Sequence, residues 1–298
     1  MDRTKICGLT CGLTVVALAL ASGGCGSKQP KLIVGSKNFT EQVVLGEIVA
    51  QHLEHRLGRK IERKLNLTGT LITYQALQNG EIGLYPEYTG TIQAEILKEV
   101  PGTEASVVFE RVRNEMHRVA QTEVLEPLGI DNRFVMVIRS SDAAKYNIST
   151  LSEAAQIKDG WKLGVGYEFQ SRSDGMPLLN KYHLPMTASP RSMDLGLLFK
   201  ALSDGQVTMI AANATDGPLA SSQYTVLADD QKLFPPYQAC LLVREDVLAA
   251  EPAVRGALRE LSGKFTNEIM RKLDAQVDVE HRQPRDVAAE FLAQAGLK

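Results

Sequence analysis

The residues of this chain best placed to do chemistry are rings and cations rather than nucleophiles. Tyr85-Pro86-Glu87-Tyr88-Thr89-Gly90-Thr91 sets two tyrosines in a turn-rich segment at the end of an apolar run, and Phe234-Pro235-Pro236-Tyr237 does the same ahead of the run 239–243. Phe134 opens the apolar run 134–138, while Lys37 and Arg172 each follow a strand-like run and stand close to a helix start. Taken singly, each position has an ordinary explanation: tyrosines pack at domain edges, and Lys and Arg stay solvated. Bond-making chemistry has less support, because none of the 5 histidines sits in a nucleophile, metal or acid–base signature. His52 and His55 are spaced to share a metal, but no third ligand stands in an obvious position, and Glu54 and Arg56 beside them mark a solvated face. Gly164-Val165-Gly166 follows a strand yet lacks the third glycine of a dinucleotide site, and reads as turn chemistry. Neither an enzyme nor a metal or cofactor is expected.

The elements that must position these residues alternate strand and helix. Leu32-Ile33-Val34 reads as a buried strand, and 41–57 carries Val44, Leu45, Ile48, Val49, Leu53 and Leu57 at helical spacing until Gly58 stops it. A strand over 61–67, a helix over 71–78 and a short apolar run at 82–85 complete a β-α-β-α-β order, which implies a parallel sheet with crossover helices. An amphipathic helix over 105–120 precedes the strand 134–138, where the chain first crosses to a second lobe. A second β-α set runs from 163–165 through helices near 176–182 and 195–202 to the strand 207–211, and the chain returns through 239–243. The remainder, 247–273 and 286–295, is predicted helical and packs back on the first lobe. The expected organisation is a signal segment 1–24, a tether 25–30, a first lobe made of 31–135 plus 240–298, and a second lobe 136–239. Two α/β lobes joined by two crossings leave a cleft lined by strand ends and helix starts, where such sheets bind ligands; amides at helix N-termini would favour an anion there.

The N-terminus is of a different kind. Arg3 and Lys5 precede the nearly apolar stretch 6–21, and Ser22-Gly23-Gly24 leads to Cys25, the pattern of an export signal. The apolar run falls short of the roughly 20 residues a spanning helix needs. Cys25 after two glycines resembles a lipobox cysteine, with Ser22 departing from the usual leucine, so lipidation at Cys25 is expected. Cys7 and Cys11 leave with the signal, which leaves Cys240, inside an apolar run, as a packing residue with no intrachain disulfide partner. With 298 residues, 44% hydrophobic and 23% charged, the chain can bury a real core; its net charge of −2 argues against a nucleic-acid partner.

Taken together, GSKNFTEQ at 35–42, YPEYTGT at 85–91, EFQSRSDG at 168–175, ATDG at 214–217 and FPPYQA at 234–239 resemble the glycine betaine/carnitine/choline-binding proteins of osmoprotectant ABC importers, over nearly the whole mature chain. The resemblance implies an α/β, two-lobed periplasmic-binding-protein fold of type II, with the ligand in the interlobe cleft. It implies an aromatic cage for a quaternary ammonium from Tyr88, Phe134 and Tyr237, and carboxylate contacts from Lys37, Arg172 and Thr91. Asn213 stands where the family often has a further cage tyrosine and supplies an amide instead. Such a ligand has no N–H to donate, so ring faces must select it. Choline, without a carboxylate, would leave Lys37 and Arg172 unpaired, and ranks below glycine betaine, carnitine or ergothioneine. The implied partners are the permease subunits of an importer and the membrane through a lipid anchor, for a monomer at the periplasmic or outer face of the cytoplasmic membrane. Competing readings are a receptor for another polar solute, amino-acid-like or ergothioneine-like, and a secreted lipoprotein enzyme.

Overall fold

The structure, a computed structural model, describes residues 30–298. The signal segment 1–24 and Cys25 lie outside the described residues, as does all of the tether but Pro30. Ten strands follow in chain order: β1 (Ile33–Gly35), β2 (Glu62–Lys64), β3 (Leu84–Tyr88), β4 (Thr122–Val124), β5 (Phe134–Arg139), β6 (Leu163–Gly166), β7 (Arg191–Met193), β8 (Met209–Asn213), β9 (Tyr224–Leu227) and β10 (Ala239–Arg244). They form two five-stranded sheets, ordered β2-β1-β3-β10-β4 and β7-β6-β8-β5-β9. In the first, β2, β1 and β3 are parallel, as the alternation of strand and helix predicts, while β10 runs antiparallel to both β3 and β4. The second repeats the plan, with β6 parallel to β7 and β8, and β5 antiparallel to β8 and β9.

Side chains alternate across each sheet, and both faces are covered. Leu84, Leu241 and Val243 point into one core of the first lobe, while Tyr85, Cys240 and Leu242 point into the other. In the second lobe Met136, Ile138, Met209 and Ala211 meet one helical layer, and Val137, Ile210 and Ala212 meet the other. Strands covered on both faces read as continuous apolar runs, which is why 239–243 is recognisable without helical periodicity. Cys240 is buried and free, with burial pushing its thiol well above the usual range.

Two expectations change. The stretch 247–273 is not one helix but three pieces, Glu245–Ala250, Ala253–Arg259 and Asn267–Asp278. Pro252 interrupts the first boundary, and Gly263 (φ 66°) with the Thr266 cap, whose hydroxyl accepts from the Ile269 amide, sets the second. His52 is fully buried rather than on a solvated face, its ring nitrogens 3.0 and 2.9 Å from the carbonyl oxygens of Leu297 and Ala257. The C-terminal segments that pack on helix Thr40–Leu57 cover that face, an outcome helical spacing alone does not reveal.

The chain passes between the sheets twice, after β4 and before β10. The two passages are bonded to each other: the Asn132 amide donates to the Tyr237 carbonyl at 3.0 Å, and the Tyr237 amide donates to Asp131 Oδ1 at 3.0 Å. No helix among the described residues is long and apolar enough to cross a membrane.

Candidate ligand cleft

Strand polarity brings the candidate residues to one edge of each sheet. β3 ends at Tyr88, and the antiparallel β10 begins opposite it, with Ala239 in register with Tyr88 and Tyr237 two residues earlier. β8 ends at Asn213, in register with Phe134 at the start of antiparallel β5. Lys37 lies in the turn between β1 and helix Thr40–Leu57, Thr91 closes the short helix Thr89–Thr91, and Arg172 follows helix Tyr167–Ser171 after β6. All seven, Lys37, Tyr88, Thr91, Phe134, Arg172, Asn213 and Tyr237, line a single cavity of about 210 Å³ between the two sheets.

The rings form two groups, one on each side of the cavity. Phe134 meets Tyr237 with centroids 5.6 Å apart and Phe169 at 5.0 Å, both edge-on, while Phe39 stacks on Tyr88 at 6.4 Å. The protein's own cations already use these faces: Lys37 Nζ lies 4.8 Å from the Tyr88 centroid, and Arg172 Cζ lies 5.2 Å from that of Phe134 and 6.0 Å from that of Tyr237.

Both cations are charge-compensated within the protein, which the sequence reading does not anticipate. Lys37 Nζ donates to Glu87 Oε1 at 2.6 Å, and Glu87 is completed by the Tyr85 hydroxyl and the Tyr88 amide. Arg172 grips Asp174 with Nε at 2.8 Å and Nη2 at 2.6 Å, and the Tyr237 hydroxyl donates to the same carboxylate at 2.6 Å. Burial taken alone would disfavour the guanidinium charge, but Asp174 outweighs it and holds Arg172 still more firmly protonated. Burial and the neighbouring carboxylates push the hydroxyls of Tyr88 and Tyr237 well above the usual range, so both remain donors. Ranking choline low because it would strand Lys37 and Arg172 therefore loses its ground: Glu87 and Asp174 already pair them within the protein. Each cation nevertheless keeps one N–H without a partner among the described residues, since Nζ has three and the guanidinium five.

Behind the rings lies a second layer. Tyr88 donates to Glu41 Oε1 at 2.5 Å and Asn132 donates to the same atom at 3.0 Å, while Glu41 Oε2 has no hydrogen-bond partner among the described residues and burial raises the acid. The Asn213 amide nitrogen contacts Asp216 Oδ1 at 3.4 Å and its backbone N–H donates to Oδ2 at 2.9 Å. Glu41, Phe39, Glu87 and Asp174 escape the sequence reading as site residues, although all four lie inside the motifs at 35–42, 85–91 and 168–175. Ring faces of this kind attract a cation that has no N–H to donate, and an unpaired N–H on a buried cation is a donor suited to an anion. Among the described residues no cluster of His, Cys, Asp or Glu is arranged to hold a metal ion.

Known proteins match this architecture. The family described as the substrate binding domain of ABC-type glycine betaine transport systems matches residues 30–294. The chain is similar to the carnitine transport binding protein of Listeria monocytogenes, 28% identical over 95% of this chain and 92% of that one. It is 31% identical, over 91% of this chain, to the ergothioneine transport permease/ergothioneine binding protein of Helicobacter pylori, of which it spans 48%. Among solved structures, a glycine betaine/carnitine/choline ABC transporter protein superposes with a TM-score of 0.77 at 25% identity, covering 90% of this chain and 99% of that one.

Proposed function

The chain belongs to the family of substrate-binding domains of ABC-type glycine betaine transport systems, and from that premise we propose that its cleft receives a quaternary-ammonium zwitterion of the betaine class. Tyr88, Phe134 and Tyr237 surround the methylated cation, each ring contributing roughly 0.5–2 kcal/mol. Thr91 and the free N–H groups of Lys37 and Arg172 meet the carboxylate, and the Asn213 amide borders the cation. The observation that carries this reading is the convergence of these residues, from both sheets, on one cavity. Carnitine and ergothioneine, named for two of the relatives, share a trimethylammonium group and a carboxylate, which fits the same division of labour. We further read the protein as an extracytoplasmic monomer held at the membrane by lipid on Cys25, with lobes 31–135 plus 240–298 and 136–239, delivering ligand to permease subunits.

Calorimetry tests the site. Arg172→Ala is expected to abolish binding of glycine betaine, carnitine and ergothioneine alike, and Tyr237→Ala to weaken it at least about tenfold, or ~1.4 kcal/mol. Native-like affinity in both variants would remove the proposal.

A further inference from the structure

Helix Thr70–Gln78 belongs to the first lobe and starts badly. Its N-cap is Gly69, which has no side chain to accept from the first-turn amides, whereas Ser, Thr, Asp or Asn would do so. The missing acceptor comes from the other lobe: Glu168, in helix Tyr167–Ser171 after β6, accepts from the Thr70 amide at 2.8 Å through Oε1. Its other oxygen accepts from Arg172 Nη1 at 3.3 Å, and the charges of Lys37 and Arg172 with the Thr70 amide overcome burial to hold the acid below the usual carboxylate range. Gly69 itself has φ −72° and ψ −172°, a conformation any residue adopts, so its backbone does not call for glycine. The carboxylate does: a Cβ at Gly69 would stand 2.2 Å from Glu168 Oε1.

We propose that Glu168 is a closure latch, a positioning residue whose carboxylate caps helix Thr70–Gln78 from across the cleft, so that this helix is completed only while the lobes are together. The cap forms between elements of different sheets, and opening the cleft necessarily breaks it. Gly69 is the matching half of the device, leaving room for the oxygen. Arg172 joins the latch to the cavity, since the guanidinium that binds Glu168 also donates to Thr91 Oγ1 of the first lobe at 3.1 Å. The latch adds to the closed form's stability in the absence of ligand; only its effect on affinity rests on the betaine reading above.

Hydrogen exchange on the ligand-free chain tests it. Glu168→Ala and Gly69→Ala are each expected to lower protection of the Thr70 amide about fivefold, the ~1 kcal/mol of a lost cap. The double variant should lose no more than either single one, and Glu168→Gln, which keeps an acceptor, should restore most of the protection. A spin-label pair with one label in each lobe should report a longer mean distance in both alanine variants, and glycine betaine affinity should fall by a similar factor. Unchanged Thr70 protection, or additive losses in the double variant, overturns the latch. Lost betaine affinity with unchanged protection overturns it too, making Glu168 a ligand contact. Lost protection in a protein that binds no betaine leaves the latch standing and removes the ligand reading instead.

Discussion

The two walls of the cleft bury one cation each against aromatic rings, and they satisfy it in opposite ways. In the first lobe Lys37 is neutralised by Glu87, from the adjoining part of the same sheet, and its hydrogen bonds stay within that lobe, although its charge also acts on Glu168 across the cleft. In the second lobe Arg172 is neutralised by its neighbour Asp174, but the network runs on to Thr91 of the first lobe and to Tyr237 on the returning passage. The first wall is therefore preorganised in any lobe arrangement, and the second is completed only on closure. A receptor built this way can present one finished half-site and let ligand complete the other, which couples occupancy to closure without any moving part inside either lobe.

The strongest way to break that comparison is to strand each acid in turn. Lys37→Met leaves Glu87, and Arg172→Met leaves Asp174, as a buried carboxylate without its cation, each 0% exposed. Removing one partner of a buried pair costs about 3–5 kcal/mol, and both variants are expected to lose that much unfolding free energy in urea titrations of the ligand-free protein. Only Arg172→Met should also lengthen the interlobe distance. If Lys37→Met lengthened it equally, the distinction between the walls would fail.

A third region sharpens the contrast, because behind the rings the lobes meet acid against acid. Asp216 follows β8, and its carboxyl faces Glu41 and Asp278 of the first lobe, with Asp274 alongside. Helix Asn267–Asp278 lies so close that a Cβ at Gly217 would touch its backbone at 2.7 Å, and Arg271 donates to the Ala214 carbonyl rather than to an acid. Burial above all, helped by Asp278 and Glu41 against the Asn213 hydrogen bonds, raises Asp216 to about 7. The folded value lies above the unfolded one of about 3.9, so the native state holds a proton that the unfolded chain releases. Stability from this group is complete below about pH 4 and is lost as pH rises through 7. Asp216→Asn keeps an acceptor for the Asn213 amide without the charge. It should stabilise the protein by on the order of 2 kcal/mol at pH 8 and leave it unchanged at pH 4, read as melting temperature. The raised Asp274 acts in the same direction, so some slope should survive in the variant.

How much of this was legible in the sequence follows from burial. Helix Ala105–Ala120 is read to the residue because one apolar stripe, Val108, Val112 and Met116, stands against a polar remainder. β4, β7 and β9 are missed, and all three are sheet edges three or four residues long, where one side lacks a partner strand and little apolar surface is covered. The rings and cations of the cleft are readable because their types are conspicuous and the motifs fix their order. The pairing of Lys37 with Glu87 is not, since the two lie 50 positions apart and only the register of β1 on β3 brings them together. His52 misleads for the same reason: what buries it comes from positions 205 and 245 residues away.

The smallest effect tests whether the first wall's rings act through charge or through shape. Phe39 lines the cavity, stacks on Tyr88 with an interplanar angle of 20°, and has Lys37 Nζ 5.8 Å from its centroid. Its counterpart Phe169 is a core residue of the second lobe, edge-on to Phe134, so shortening it should be read first in stability. Phe39→Leu keeps an apolar side chain of similar reach and removes the quadrupole. The expected loss is ~1 kcal/mol, about fivefold in affinity for glycine betaine. The isosteric 3,3-dimethylbutanoate, which has the same carboxylate and a tert-butyl group in place of the trimethylammonium, isolates the cause. If the ring works electrostatically, the preference for betaine over this acid shrinks about fivefold in the variant; if both ligands weaken equally, Phe39 merely fills space and the first wall selects by Tyr88 alone.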